Sequence, residues 1–504
     1  MVFNFLPRLA ALRGLRADLA ALTLGAVAAA ALPPVHAIPL LLISVPGLLA
    51  LLDAAPGPWT AARRGWWFGV GHHICGLYWI TEAILFEADR FWWLVPLAVP
   101  ATAAGLAIFI AVACAVARFA TPGWPRVLAL AGAWLLTDMA RQFVLTGFPW
   151  NPWGSVWAVP GVFGDVFIQP ASLVGVHGLT LATLVLAGLP TLGWGWRIGG
   201  GAVLAGWAVF GLVRLNDPLP PAPQITVVLV QGNVAQGQKW NQELAVRIFQ
   251  HYLALSAQGR VQAGAGQVVV IWPETAFPGL LLSDEPARQA IEEAVKGAQS
   301  LVGGVRFDEQ TRPRNSLFAL EDGGAVAGIY DKWHLVPFGE YIPSWLPLPL
   351  MVMPGGGFGS GPGPRTLHVR GLPAFGALIC YEAIFSGEIV DRHDRPAWLV
   401  NVTNDAWFGN SSGPRQHLAA ARMRAVEEGV PLVRAANTGI SAAFDPHGHE
   451  LARLGMQEAG TIPVALPAAL PETVFGRFGL WLPLISGSVA LGLGLAVRRI
   501  TSYG

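Results

Sequence analysis

The chain has 504 residues, of which 53% are hydrophobic and only 12% are charged. Soluble globular proteins carry about twice that charged fraction, so the composition predicts a membrane protein. The formal net charge is +1, and no stretch of the sequence forms a basic stripe. This charge distribution argues against a nucleic-acid-binding protein.

Apolar runs close to the membrane-crossing length of about 20 residues predict roughly eight transmembrane helices. Several tryptophans stand near the ends of these runs, as expected for rings at a membrane interface. The predicted spans are Leu19 to Leu32, Ala37 to Leu52, Trp66 to Phe86, Trp92 to Val116, Val127 to Val144, Val166 to Leu192, Ile198 to Val213, and Phe478 to Val497.

The placement of arginine predicts the orientation of these helices. If the N-terminus is cytoplasmic, every inner connection is basic, with Arg63-Arg64, Arg118, Arg126 and Arg197 in the loops and Arg498-Arg499 in the tail. This pattern obeys the positive-inside rule. After seven crossings the segment from about Asn216 to Pro471 is therefore expected on the extracytoplasmic side.

The connection from Gly147 to Gly164, GFPWNPWGSVWAVPGVFG, is too rich in Pro, Gly and Trp for a regular helix. We expect an aromatic loop at the outer surface, and the residues leave open whether it anchors the protein or lines a substrate path.

From Asn216 onward, strand-like runs alternate with amphipathic helical runs, which predicts a sheet covered by helices. The expected domains are a transmembrane domain at 1–215, an extracytoplasmic catalytic domain at 216–471, and a last transmembrane helix with a cytoplasmic tail at 472–504. Within the catalytic domain, an apolar stretch and a glycine run from Trp345 to Phe358 suggest a lid that closes against lipid.

Three polar side chains follow strand-like runs in this domain. Cys380 ends the run RGLPAFGALIC, Glu274 follows VVVIWP, and Lys332 lies in YDKWHLVPFGEY, which also contains Glu340. A thiol, a carboxylate and an ammonium are the groups needed to form and break an acyl-cysteine. Cys380 is the only thiol in the polar part of the chain. Neither CxxC nor His-rich spacing is present, so no metal or other cofactor is expected.

The segments IWPETAFP, YDKWHLVPFGEY and LICYEAIF, in this order, resemble the nitrilase superfamily. Together with the apolar helices, the segments GLYWITEA, GFPW, VQGNVAQGQKW, HLVPFGEY and NVTNDAWFG make the whole chain similar to the bacterial apolipoprotein N-acyltransferase family. The resemblance implies an α-β-β-α sandwich with a catalytic triad of Glu274, Lys332 and Cys380.

The resemblance also implies a reaction. A phospholipid, typically phosphatidylethanolamine, would acylate Cys380, and the acyl chain would pass to the N-terminal amine of a diacylglyceryl-cysteine in a lipoprotein. Glu274 would act as general base, and Lys332 would stabilise the thiolate and the oxyanion. Such an enzyme would lie in the bacterial inner membrane with its catalytic domain in the periplasm.

Further residues are assigned supporting roles. Glu340, Tyr381 and Glu382 are expected to support the triad, and Trp240, Asn315 and Trp407 to contact substrate. Asn404 and Asp405 are expected to cap the turn that follows them.

Other functions share these residues. A membrane-anchored nitrilase-like amidase would use the same triad with water as acceptor, and an acyltransferase could serve another amine. A transporter or inert scaffold would need charges inside the membrane, for which Glu82 and Asp138 are the few candidates.

Overall fold

The computed structural model describes residues 5–86, 88–239, 242–344 and 357–497. Trp240 and positions 345–356 of the predicted lid lie outside these ranges. The chain divides into two compact units, one formed by residues 1–216, 411–419 and 474–504, and the other by residues 217–410 and 420–473.

The first unit is helical. Its helices are α1 (Leu6–Ala11), α2 (Gly14–Ala29), α3 (Leu41–Asp53), α4 (Pro58–Gly76), α5 (Ile80–Leu85), α6 (Ala88–Phe91), α7 (Val95–Ala117), α8 (Trp124–Ala140), α9 (Val162–Phe167), α10 (Ala171–Gly188) and α11 (Trp194–Leu215), followed at the end of the chain by Val474–Phe478 and Trp481–Ala496. In the described ranges, three segments are long and apolar enough to cross a membrane: Ala88–Ala117, Ala171–Thr191 and Trp194–Leu215. The larger predicted number stays a prediction.

Helices α2 and α4 approach each other through glycine. A Cβ added to Gly25 of α2 would lie 1.9 Å from the carbonyl oxygen of Phe68, and one added to Gly71 of α4 would lie 2.0 Å from that of Leu22. Small residues at such crossings let two backbones touch, which is typical of helix packing in membranes.

As predicted, the connection from Gly147 to Gly164 is not a regular helix, since it contains only the 3-10 helix Trp153–Trp157 and the start of α9, but its tryptophans are buried. Trp150, Trp153 and Trp157 are each at most 6% exposed. Burial is possible because each indole N–H has an acceptor inside the unit. The acceptors are Gln416 Oε1 at 2.8 Å for Trp150, His72 Nε2 at 3.2 Å for Trp153, and Thr183 Oγ1 at 2.8 Å for Trp157.

The second unit contains two six-stranded sheets. Its strands are β1 (Ile225–Gln231), β2 (Gln267–Ile271), β3 (Gln299–Phe307), β4 (Pro313–Glu321), β5 (Ala325–Asp331), β6 (Thr366–Leu367), β7 (Phe375–Ile379), β8 (Trp398–Thr403), β9 (Leu432–Ala436), β10 (Ser441–Phe444), β11 (Glu450–Leu454) and β12 (Gly460–Ala465). The sheet orders are β12-β1-β2-β3-β4-β5 and β11-β10-β9-β8-β7-β6. The neighbours β1, β2 and β3 run parallel, as do β7, β8 and β9.

Alternation along the strands builds the layers of this unit. On β1, Val227 and Leu229 pack in a core that also contains Ala377 and Val400 of the second sheet. The alternate residues of β1 face the opposite way and pack with residues of two helices. These are α13 (Gln242–Gln262) and α14 (Glu285–Val295), which follow the short α12 (Gln236–Lys239); the remaining helix is α15 (Gly413–Glu428). Strands that alternate in this way stack two sheets face to face, with helices outside the first sheet.

Candidate active site

Cys380 lies at a sharp corner of the backbone. Strand β7 ends at Ile379, and a short 3-10 helix, Cys380–Ile384, begins at once. The φ angle of Cys380 is 52°, in the left-handed region that non-glycine residues rarely adopt. Strained corners of this kind are concentrated at functional sites, and this one stands where the apolar run RGLPAFGALIC ends.

The Glu382 carboxylate holds this corner in place. One oxygen accepts the Ile379 N–H at 2.6 Å, and the other accepts the Tyr330 hydroxyl at 2.9 Å and the Trp333 N–H at 2.8 Å. Burial raises the pKa of Glu382 to about 7, although the hydrogen bonds from Ile379 and Trp333 oppose that shift. Because its oxygens are occupied, Glu382 supports the backbone around Cys380.

Glu274 lies three residues beyond β2 and is buried. Its Oε1 accepts a hydrogen bond from Asn315 Nδ2 at 2.7 Å and lies 3.4 Å from Lys332 Nζ. Its Oε2 accepts the backbone N–H of Asn404 at 2.8 Å. The Cys380 thiol is a further hydrogen-bond partner of this carboxylate.

Glycine in β3 makes room for the turn that presents Glu274. A Cβ added to Gly303 would lie 2.1 Å from the Pro273 carbonyl oxygen and 2.8 Å from the Glu274 Cα. A side chain at position 303 would therefore displace Glu274.

Lys332 directly follows β5, and its ammonium is held by two carboxylates. Nζ lies 2.8 Å from Glu340 Oε2 and 3.4 Å from Glu274 Oε1. Burial disfavours its charge, but the carboxylates of Glu340 and Glu274 outweigh burial and raise the pKa of Lys332. Asn315, predicted to contact substrate, joins the two carboxylates, because its Nδ2 also donates to Glu340 Oε1 at 3.0 Å.

These contacts determine the resting protonation states. Burial raises the pKa of the Cys380 thiol, the Glu274 carboxylate raises it further, and Lys332 and Thr403 oppose the shift. Burial also tends to raise the pKa of Glu274, but Lys332, Lys239 and the hydrogen bonds from Asn315 and Cys380 lower it overall. At rest, the site holds a neutral thiol next to an ionised carboxylate, which is the arrangement needed for general-base activation.

Comparison with known proteins identifies the family. A family profile described as carbon-nitrogen hydrolase matches residues 226–473, and one described as the N-terminal domain of apolipoprotein N-acyltransferase matches residues 24–189. The apolipoprotein N-acyltransferase of Bradyrhizobium diazoefficiens is 40% identical over 96% of this chain and 95% of its own length. The chain belongs to the apolipoprotein N-acyltransferase family.

Other relatives agree with this assignment. The apolipoprotein N-acyltransferase of Rhodopseudomonas palustris is 39% identical over 91% of each chain, and that of Caulobacter vibrioides is 39% identical over 93% of each chain. A solved nitrilase-superfamily amidase from Nesterenkonia AN1 is 18% identical, with a TM-score of 0.37 over 49% of this chain and 93% of its own. A TM-score this low adds nothing to the family assignment. The chain is thus a membrane-associated N-acyltransferase with a nitrilase-like α/β unit.

Behind Cys380, the N-acyltransferase has a buried polar network across the parallel strands of its second sheet. Thr403 is a hydrogen-bond partner of the Cys380 thiol and donates to Asp405 Oδ1 at 3.0 Å. Arg434 on β9 lies 2.6 Å from Asp405 Oδ2 and also donates to the side chain of Asn401 on β8. This network gives the Cys380 thiol a hydrogen-bond partner, Thr403, in addition to Glu274.

The expectation that Asn404 caps the following turn is wrong. Its side chain makes no capping hydrogen bond there. Instead, its Nδ2 donates to Gln236 Oε1 at 2.6 Å and its Oδ1 accepts from Asn437 at 3.0 Å, while its backbone N–H holds Glu274. Asn404 therefore fixes the position of the Glu274 carboxylate.

The remaining predicted residues occupy different surroundings. Tyr381 is buried and packs edge to face against Phe385, with ring centroids 5.2 Å apart. Trp407 lies half-buried in the 3-10 helix Asp405–Phe408, and Trp240 lies outside the described residues.

Sequence reasoning missed Lys239, the last residue of α12. Its Nζ donates to the backbone carbonyl of Glu274 at 2.8 Å. It belongs to the segment VQGNVAQGQKW, where a lone lysine among polar residues is typical of a solvated surface. The chain contains only three lysines, and this low number could have drawn attention to Lys239.

Proposed function

We propose that Glu274, Lys332 and Cys380 transfer an acyl chain from a glycerophospholipid, with phosphatidylethanolamine as donor, to the N-terminal amine of diacylglyceryl-cysteine in a lipoprotein. The observation that carries this proposal is the buried hydrogen bond between the Cys380 thiol and the ionised Glu274 carboxylate. The names of the relatives supply the class of acceptor.

The first half-reaction acylates Cys380. Glu274 accepts the thiol proton while sulfur attacks the ester carbonyl of the phospholipid, and the Lys332 ammonium stabilises the resulting oxyanion. When the tetrahedral intermediate collapses, the ester C–O bond breaks and Glu274 gives its proton to the leaving lysophospholipid. Cys380 is left as a thioester.

The second half-reaction releases the acyl chain. The acceptor amine attacks the thioester, Glu274 accepts a proton from the attacking nitrogen, and the C–S bond breaks as the amide forms. The proton then returns to sulfur, which restores the starting state. Glu340, Tyr381 and Glu382 support the triad, and Trp407 contacts the lipid in this scheme.

We further propose the membrane arrangement. About eight helices place a transmembrane domain at 1–215, a periplasmic catalytic domain at 216–471, and a final helix with a cytoplasmic tail at 472–504 in the bacterial inner membrane. Contacts among the basic connections support this arrangement. Arg118 Nε donates to the Ala55 carbonyl at 2.8 Å, Arg126 pairs with Asp53, and Arg64 donates to the Leu51 carbonyl, so these three arginines gather near the end of α3.

The structure does not favour a transport path through the acidic residue of α8. Asp138 is buried, but it lies 2.5 Å from Arg141 Nη2 and 3.6 Å from His177 Nδ1. A carboxylate paired in this way serves packing within the helical unit.

Cysteine labelling tests the membrane arrangement. We expect a membrane-impermeant maleimide to label Ser283→Cys, an exposed position of the catalytic unit, in intact spheroplasts of a Cys75→Ser strain. Gly195→Cys, exposed next to Arg197, should be labelled only after permeabilisation. The reverse pattern would place the catalytic unit in the cytoplasm.

Intact-mass analysis tests the reaction. After incubation with phosphatidylethanolamine, the purified protein should gain the mass of one acyl chain and lose it when a diacylglyceryl-cysteine peptide is added. Cys380→Ser should gain no thioester, because a serine hydroxyl is a far weaker nucleophile than a thiol in this site.

Two other outcomes would contradict the proposal. Decay of the adduct to free fatty acid at the same rate with and without peptide would indicate a hydrolase. Transfer to an unrelated amine as fast as to the diacylglyceryl peptide would indicate a different acceptor. Cys114→Ser serves as the matched control, since that thiol is buried in α7 of the helical unit.

A further inference from the structure

The N-acyltransferase buries a second ammonium group at its active site. Lys239 is 5% exposed, and its Nζ lies 2.8 Å from the Glu274 carbonyl oxygen. Lysine is rarely buried unless its charge is used, because removing an ammonium from water is costly. Of the three lysines in the chain, Lys296 is exposed, and the other two, Lys239 and Lys332, are buried here.

The two ammonium groups have different partners. Lys332 is held by the Glu340 carboxylate at 2.8 Å, so much of its charge is compensated. Lys239 donates to a neutral carbonyl, and its charge interacts with the Glu274 carboxylate and with Cys380. The field of Lys239 therefore acts on the two groups that exchange a proton in the reaction.

A charge inventory shows what this field contributes. Asp405 is neutralised by Arg434, a pair at 2.6 Å with both side chains fully buried. Lys332 faces two carboxylates, Glu274 and Glu340, and its charge also interacts with the buried Glu382, so negative charge exceeds positive charge around Lys332. Lys239 supplies the balancing positive charge. The charge of Lys239 interacts first with the Glu274 carboxylate and also with Cys380, so a thiolate that forms while Glu274 stays ionised is stabilised by Lys239.

We propose that Lys239 is a positioning residue for the acyl transfer, which makes Cys380 more nucleophilic by stabilising its thiolate and fixes the backbone of Glu274. This inference rests on the proposed roles of Cys380 and Glu274. It adds a fourth side chain to the three of the triad.

The proposal has a defined pH dependence. Burial lowers the pKa of Lys239 to about 8, although the charges of Glu274 and Cys380 oppose the shift. Lys239 is therefore charged below about pH 8 and neutral above it. Its electrostatic effect on the thiolate should be complete in the lower range and fade in the upper one. A neutral amine still donates an N–H, so the hydrogen bond to Glu274 persists throughout.

The rate of Cys380 alkylation tests this inference independently of acyl transfer. The experiment uses the full-length chain in detergent, with Cys75 and Cys114 replaced by serine, and follows iodoacetamide addition by intact mass. Near neutral pH, Lys239→Met should react about tenfold more slowly than the parent. This ratio corresponds to a Cys380 pKa that is higher by about one in the variant. Lys239→Arg, which keeps the charge, should retain most of the rate, and Lys296→Met should match the parent.

The pH profile separates charge from structure. The ratio of the parent alkylation rate to the Lys239→Met rate should approach one above about pH 8, where Lys239 itself is neutral. In the same pH range, Lys239→Arg should still react faster than Lys239→Met, because arginine stays charged. A ratio that stays constant across pH would show that the hydrogen bond alone matters and would overturn the proposal. Equal rates in parent and Lys239→Met near neutral pH would also overturn it.

If Lys239→Met does not fold, the alkylation rates of the parent and of Lys239→Arg across pH still test the proposal. Only the parent loses the positive charge at position 239 above about pH 8. Failure of this inference leaves the acyl adduct on the parent protein intact. Failure of the proposed function removes that adduct and leaves the alkylation comparison valid.

Discussion

Glu274→Gln should still fold, with some loss of stability, and lower the rate of acyl transfer by about a thousandfold, the scale of general acid-base catalysis. Glutamine cannot accept the Cys380 proton. It also cannot satisfy its neighbours, because the carboxylate accepts from Asn315 on one oxygen and from the Asn404 N–H on the other. An amide in either orientation points an N–H at one of these donors.

The measurement is single-turnover acylation of Cys380 by a phospholipid with a fluorescent acyl chain, followed by transfer to a diacylglyceryl peptide. Circular dichroism in the same detergent checks the fold. Glu285→Gln, an exposed carboxylate in the first turn of α14, serves as the matched control. A Glu274→Gln rate within a few-fold of the control would exclude Glu274 as the base and require another proton acceptor for Cys380.

Some of the active site could be predicted from sequence because its residues follow strands. Cys380 comes one residue after β7, Lys332 one residue after β5, and Glu274 three residues after β2. The apolar runs from Ile225 to Gln231 and from Phe375 to Ile379 have clear ends in the sequence, and β1 and β7 have the same bounds. Apolar runs of this kind carry their own local signal.

Several antiparallel strands were harder to predict. The run from Pro313 to Glu321 begins with PRN, which is not typical of a strand, yet as β4 it pairs with eight residues of β3. Strands β10, β11 and β12 were missed for the same reason. Their pairing comes from tertiary context, and β-propensity is weak without it.

Helix bounds in the first unit show another limit. The predicted span from Trp66 to Phe86 is replaced by α4, which runs from Pro58 to Gly76. Arg63 and Arg64 were expected in a loop. The helix begins earlier, because Pro58 occupies its first position, where proline is favoured. Arg64 is then buried inside the unit, where it donates to the Leu51 carbonyl. Composition alone does not reveal a buried arginine.

The support behind Cys380 depends on pairs that are distant in sequence. Arg434 and Asp405 lie 29 positions apart, and both side chains are fully buried. Neither residue stood out by motif as a partner of the other. Arg434 also donates to Ile440 O at 3.3 Å and to Asn401, so one guanidinium joins β9 to β8 and to the thiol side of the site.

Arg434→Met should therefore lower the free energy of unfolding of the catalytic unit by about 3–5 kcal/mol, because it leaves the Asp405 carboxylate buried without its cation. Pulse proteolysis in urea measures this change on the detergent-solubilised protein. Arg453→Met is the matched control, since its ion pair with Glu450 spans 3.4 Å between partly exposed side chains. The loss there should be at most about 1 kcal/mol.

The double variant Arg434→Met with Asp405→Asn shows whether the unpaired charge causes the loss. Removing the carboxylate charge should recover part of the stability that Arg434→Met loses, a non-additive result expected for residues in direct contact. A double variant that is less stable than the sum of the two single variants would assign the loss to packing around Asn401. A single Arg434→Met variant as stable as the Arg453→Met control would show that this ion pair does not support the strands that carry Cys380.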